Sequence, residues 1–134
     1  MVPVTTTRST SLPATPQSPA AARQFVRDAI TESGIAVDVD DATIAVSEIV
    51  SNVVCHAGTS MRLDVDAGPA LRVAVTDSRP DLQLPVHTGS GLLATGGRGL
   101  FVVGVLVSRW GQSRDARTKT KTVWFEIDPR TRPG

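Results

Sequence analysis

SEIVSNVVCHAG, residues 47–58, is filled and preceded by apolar side chains: Ile44, Val46, Ile49, Val50, Val53 and Val54. Residues three and four apart share one face of a helix, so this spacing predicts a helix with a stripe made for burial. Glu48 and Asn52 nevertheless stand one turn apart within it, with His56 a turn further on. On a helical wheel that row borders the stripe of Ala45, Val46, Ile49 and Val53. A carboxylate buried there without a partner costs on the order of several kcal/mol. The row is therefore either the wet side of the helix or the polar rim of a cleft.

Working outward, the helix begins near Asp40-Asp41, whose charges suit its positive N-terminal end, and stops near Ala57-Gly58. An earlier helix starts at Ser18-Pro19 and runs through AAARQFVRDAITES to Gly34, with Ala22, Phe25, Val26, Ala29 and Ile30 as its stripe. Residues 1–18 are rich in Thr, Ser and Pro, show no periodicity, and are expected to form a disordered arm. Two alternating runs follow the second helix. MRLDVD puts Met61, Leu63 and Val65 on one face, and LRVAVTD does the same with Leu71, Val73 and Val75. Gly68-Pro69 turns between them, giving an antiparallel hairpin. A Pro- and Gly-rich loop spans 78–97, and a third helix is expected from Gly99 through LFVVGVLVSRW. RWGQSR and TKTKTVWFEID read as closing strands, the last with Val123, Phe125 and Ile127 facing in. Helices segregated from a mostly antiparallel sheet make an α+β fold, a two-layer α/β sandwich. The boundaries are an arm over 1–18, one domain over 19–128 and a tail over 129–134.

Composition narrows the function. The chain has 134 residues with 20% charged, 40% hydrophobic and a net charge of +1. That balance does not mark a nucleic-acid surface. No apolar run reaches the ~18 residues of a membrane span, and the Thr/Ser/Pro start is no secretory signal. Cys55 is the single cysteine, which excludes an internal disulfide and a cysteine metal cluster. The expected home is a reducing cytoplasm.

Two more features carry chemistry. Asp77 continues the inward set Leu71, Val73, Val75 by period two. It is read either as a cap on the turn Ser78-Arg79-Pro80 or as an inward carboxylate awaiting a donor. Gly96, Gly97 and Gly99 precede the third helix, where backbone N–H groups and the helix dipole favour an anion. Neither the Walker nor the dinucleotide pattern is present. Gly97-x-Gly99 also occurs in acetyl-coenzyme A binders, but Ala94 stands where those need Arg or Gln. A carboxylate, an amide, an inward aspartate and a glycine loop together suit a nucleotide. Cys55 reads as a small buried residue, and His56 as structural, packed on the next loop.

These residues resemble a known family. Glu48-x-x-x-Asn52, His56-Ala57-Gly58, Val75-Thr76-Asp77, Gly96-Gly97-Arg98-Gly99-Leu100 and Lys121-Thr122-Val123-Trp124-Phe125-Glu126, in that order, are similar to the GHKL (Bergerat) ATP-binding fold of gyrase, Hsp90, histidine kinases and MutL. The nearest likeness is to its stand-alone branch, the anti-sigma-factor serine/threonine protein kinases. The resemblance implies that Asn52 coordinates Mg²⁺ on the triphosphate and that Glu48 activates the attacking hydroxyl or water. It implies that Asp77 accepts from the adenine amino group, with Thr122, or else Thr120, beside it. The amides of Gly97, Arg98, Gly99 and Leu100 would hold phosphates, under a lid of residues 81–97. ATP and Mg²⁺ are the implied cofactors, and a sigma factor or its antagonist protein the implied partner, with a homodimer as the implied assembly. The family's usual D-x-G-x-G reads here Asp77-Ser78-Arg79-Pro80-Asp81, without either glycine. The alternative is a nucleotide-sensing interaction module that does not turn ATP over.

Overall fold

The structure, a computed structural model, describes residues 6–79 and 103–130. Along them run β1 (Thr6–Leu12), α1 (Ser18–Ser33), α2 (Val39–Asn52), a π-helical turn (Val53–Ala57), β2 (Met61–Ala67), β3 (Leu71–Asp77), β4 (Arg109–Asp115) and β5 (Thr120–Ile127). The strands form one sheet in the order β1-β2-β3-β5-β4, every neighbouring pair antiparallel.

Period two decides which face of the sheet is covered. Met61, Leu63, Val65 and Ala67 of β2, Leu71, Val73 and Val75 of β3, and Val123, Phe125 and Ile127 of β5 are all buried. The register aligns them in rows, Leu63 opposite Val75 and Val73 opposite Phe125 among them. The helices bring the second layer, with Ala22, Val26, Ala29 and Ile30 from α1 and Ala42, Ala45, Val46, Ile49 and Val50 from α2. The expected two-layer α+β sandwich is thus the observed one.

Local chemistry sets the helix ends. Pro19 lies in the first turn of α1, and Gly34 closes it in the left-handed region at φ 72°, its N–H donating to the Ile30 carbonyl. Ser18 does not cap the helix with its side chain, as its hydroxyl donates instead to the Pro13 carbonyl. Asp38, not Asp40 or Asp41, caps α2, accepting from the Asp41 N–H at 3.0 Å. That hydrogen bond holds the Asp38 carboxyl below the usual carboxylate range.

Two expectations need correction. Residues 6–12 are not part of a disordered arm, since they form edge strand β1 paired along its whole length with β2. The strand is stabilised by backbone pairing and by threonine's preference for pleated structure, not by an apolar stripe. Its inward members are Thr6, Arg8, Thr10 and Leu12, of which only Leu12 is buried. The Arg8 guanidinium lies 5.2 Å over the Phe25 ring and 3.2 Å from Glu32, so its stem covers core that an apolar residue would otherwise cover. The third helix is described only over residues 103–106; Arg109 and Trp110, read both as its end and as the start of the strand RWGQSR, open β4 as that strand reading expects. Its start at Gly99 lies outside the described residues, as does most of the 78–97 loop.

The outer face of the sheet is polar. Trp124 packs flat across Gly111, where a Cβ would meet its Cζ2 at 2.8 Å. Arg72 stacks on the same indole at 4.6 Å and pairs with Glu126 at 3.2 Å. Arg109 bridges Glu126 and Asp128, and its hydrogen bonds hold both carboxyls below their ordinary range.

Deleting residues 1–12 is expected to lower stability by about 2 kcal/mol or more, since it uncovers Leu12's share of the core and the edge of β2. Urea unfolding followed by circular dichroism checks this; an unchanged midpoint would mean the segment is a loose arm after all.

Candidate functional site

The polar row of α2 survives only in part. Glu48 is half-buried and Asn52 is 5% exposed, one turn apart at the end of the helix. Beyond Asn52 the winding loosens to π, and the Gly58 N–H reaches back to the Val53 carbonyl at 2.8 Å. Each turn then takes an extra residue. His56, expected below Asn52 by i+4 counting and packed on the next loop, is rotated out and exposed. Cys55, expected to be buried, is exposed as well. Gly58, at φ 66°, ends the turn in the left-handed region.

Topology then delivers Asp77 to the same end of the molecule. The chain leaves the π turn and enters β2 at Met61, which pairs with Asp77, the last residue of β3. The Ser78 N–H donates to Thr59 Oγ1 at 3.3 Å, and the Arg79 guanidinium reaches the Ala57 carbonyl at 3.5 Å. The turn after Asp77 is thus tied to the residues that follow Asn52.

Asp77 fulfils both readings of its position. Oδ1 accepts from the Arg79 N–H at 2.8 Å, the turn cap. Oδ2 points to the inner face, 3.3 Å from Lys121 Nζ, with the Lys121 side chain 0% and the Asp77 side chain 1% exposed. That separation makes an ion contact, but its angles do not make a hydrogen bond. Oδ2 and Asn52 Nδ2 are the buried side-chain atoms without a hydrogen-bond partner among the described residues. Orphaned buried polar atoms are rare in native folds and point to a missing ligand, water or ion.

Lys121 was missed by the sequence reading, although the signal was there. Counting back by two from Ile127, Phe125 and Val123 lands on Lys121, and the register sets it opposite Asp77. Thr122, expected beside Asp77, falls on the other face of β5. Its hydroxyl shares a 2.8 Å hydrogen bond with Thr76, and Thr120 points the same way. A hollow of about 420 Å³ at this end of the sheet is lined by the outer-face side chains Arg62, Thr76 and Thr120. It therefore opens mainly behind the sheet, away from Asn52. Gly97, Arg98, Gly99, Leu100 and the lid 81–97 lie outside the described residues.

The donors suit a magnesium nucleotide. Mg²⁺ takes hard oxygen ligands, usually one or two from protein with the rest from phosphates and water. A half-turn about Asn52 χ2 exchanges Nδ2 for Oδ1 at the orphaned position. No cluster of three or more His, Cys, Asp or Glu that would make a protein-only cation cage occurs among the described residues. No helix among them is long and apolar enough to cross a membrane.

An α-helical layer on one antiparallel sheet defines a two-layer α+β domain, with an inward aspartate at a strand end and an asparagine at a helix end. The profile of the histidine kinase-like ATPase domain matches residues 12–127, and the chain belongs to that family. Among solved structures it is similar to the RsbU and RsbW domains of Rv1364c from Mycobacterium tuberculosis, with 20% identity and a TM-score of 0.69. The likeness covers 96% of this chain and 34% of that one, so this chain spans about a third of its length. No curated protein sequence matches the chain.

Lys121→Met leaves the Asp77 carboxylate buried without its counter-ion and is expected to cost about 3–5 kcal/mol. Adding Asp77→Asn should recover much of that loss. Chemical denaturation of both variants measures it; equal stability of Lys121→Met and the unmodified chain would show the pair to be solvated.

Proposed function

We propose that this domain binds ATP with Mg²⁺ and acts in the cytoplasm as a regulator of the anti-sigma-factor serine/threonine kinase type. The observation that carries the reading is Asn52: an amide 5% exposed, with an orphaned polar atom, one turn from a half-buried carboxylate. The family of ATPase-like domains to which the chain belongs supports it, as does the likeness to a chain that carries an RsbW domain.

Bound ATP would supply a γ-phosphoryl group for transfer. Phosphoryl transfer asks of a protein mainly positioning and charge neutralisation. Asn52 would hold the metal, Asp77 would accept from the base amino group, and Glu48 would orient or deprotonate the attacking hydroxyl. The amides of Gly97, Arg98, Gly99 and Leu100 would cradle the phosphates. The protein partner, a sigma factor or its antagonist, would present that hydroxyl or read the nucleotide-bound shape. Arg79 and Asp81 in place of the usual glycines favour a second reading, a nucleotide-sensing module without turnover.

At 100 times its dissociation constant, ATP with Mg²⁺ should add about 2.7 kcal/mol to stability, measured as a melting shift. Asn52→Ala should abolish the magnesium-dependent part. Glu48→Ala should keep the shift yet lose transfer of labelled phosphate to a partner protein. Nucleotide binding without transfer by the unmodified domain would favour the sensing module; no shift with ATP at millimolar dose would end both readings.

A further inference from the structure

We infer that the free edge of β4 is a docking strand for a protein partner. It takes an extended segment carrying acidic residues and adds it to the five-stranded sheet. The inference needs no bound nucleotide and stands apart from the reading above.

Topology leaves that edge open. The sheet runs β1-β2-β3-β5-β4, so β4 has one neighbour, β5, among the described residues. The backbone N–H and C=O groups on its other side form an unpaired row, a template for another strand. Folded chains usually blunt such an edge with a proline, a bulge or charge spread along it. β4 holds no proline, and its pairing runs from Arg109 to Asp115 without a bulge. Its central residues, Gly111, Gln112 and Ser113, are uncharged.

The charge is gathered at one end instead. Arg114, Arg117 and Lys119 are exposed, at the close of β4 and in the turn to β5. Their side chains make no hydrogen bond or ion pair among the described residues. Asp115 is the one carboxylate among them, and its Oδ1 accepts from the Arg117 and Thr118 N–H groups at 2.9 and 3.3 Å, holding the turn. Arg109, at the other end, is taken up by Glu126 and Asp128. A surplus of cations beside an open edge attracts a negatively charged chain and repels a positive one.

Period two fixes what the guest strand must carry. Trp110, Gln112 and Arg114 lie on the face where their β5 partners Phe125, Val123 and Lys121 are buried. A guest laid along the edge places alternate side chains in those rows. An acidic residue opposite Arg114, with an apolar one four positions away beside the half-buried Trp110 indole, matches them. Further acids beyond the strand end reach Arg117 and Lys119. Ladder hydrogen bonds then give affinity, and the alternate side chains give selection. A nucleic acid offers the negative charge but no strand backbone.

A fluorescein-labelled peptide of about ten residues, alternating Val and Thr with a run of Glu at one end, tests this by anisotropy on the full chain without nucleotide. It is expected to bind, and to bind about tenfold more weakly when Lys replaces Glu or when alternate backbone nitrogens are methylated. Amide exchange should slow along β4 on binding and stay unchanged along β1. Arg114→Glu, Arg117→Glu and Lys119→Glu together should reverse the choice in favour of the lysine peptide, with circular dichroism verifying the fold. The peptide arms use the unmodified chain, so they decide the matter even if that variant misfolds. No binding at millimolar peptide, equal binding of the methylated peptide, or protection on elements other than β4 overturns the inference. A poly-dT oligonucleotide that binds as tightly as the peptide overturns it in favour of a general anion surface. Protection of β4 that rises with protein concentration alone overturns it in favour of a second copy of this chain. None of these outcomes bears on ATP binding, which has its own test above.

Discussion

The inner face of the sheet tolerates nothing polar along β3 and β5 until their last shared rung, where Asp77 meets Lys121. This pairing constrains everything near it. Two charges with almost no exposure can persist there only as partners. Their pairing in turn requires the register that also aligns Val73 with Phe125 and Val75 with Val123. A slip of one residue would send the whole apolar set outward and would leave both ions without a counter-charge. The hydrocarbon rows and the ion pair therefore specify the same alignment, one by attraction and the other by exclusion.

The π turn is the second device at this end of the molecule. A helix that continued in α winding beyond Asn52 would keep His56 in the row with Glu48. The looser turn drops His56 and Cys55 to the surface and brings the chain round at Gly58 to enter β2 beside Asp77. Wide turns of this kind are uncommon and often accompany functional positions. Here the turn sets a helix-borne amide and a strand-borne carboxylate at one end of the molecule.

Much of this was legible beforehand. The α2 stripe, the β2–β3 hairpin and the inward face of β5 follow from spacing alone, because burial selects apolar side chains at periods of 3.6 and 2. Asp77 was legible for the same reason. What escaped was whatever burial does not write in hydrocarbon. β1 is built from Thr, Ser and one stacked arginine, so an apolar pattern search passes over it. The π turn alters phase without altering composition. Lys121 lies on the inward count of β5, but a lysine ordinarily faces water, and the family likeness points to Thr122 beside it.

The strand order has a consequence for how the chain reaches this state during synthesis. β1 emerges first and has no neighbour until β2 follows both helices; its polar, threonine-rich make-up keeps it soluble while it waits. β5 emerges last, yet it lies inside the sheet, between β3 and β4. A ribosome-bound chain ending before residue 120 would hold the asparagine and the aspartate but lack the cation that balances the latter. The buried charge pair should thus form late and abruptly, once β5 has been made, rather than growing with chain length.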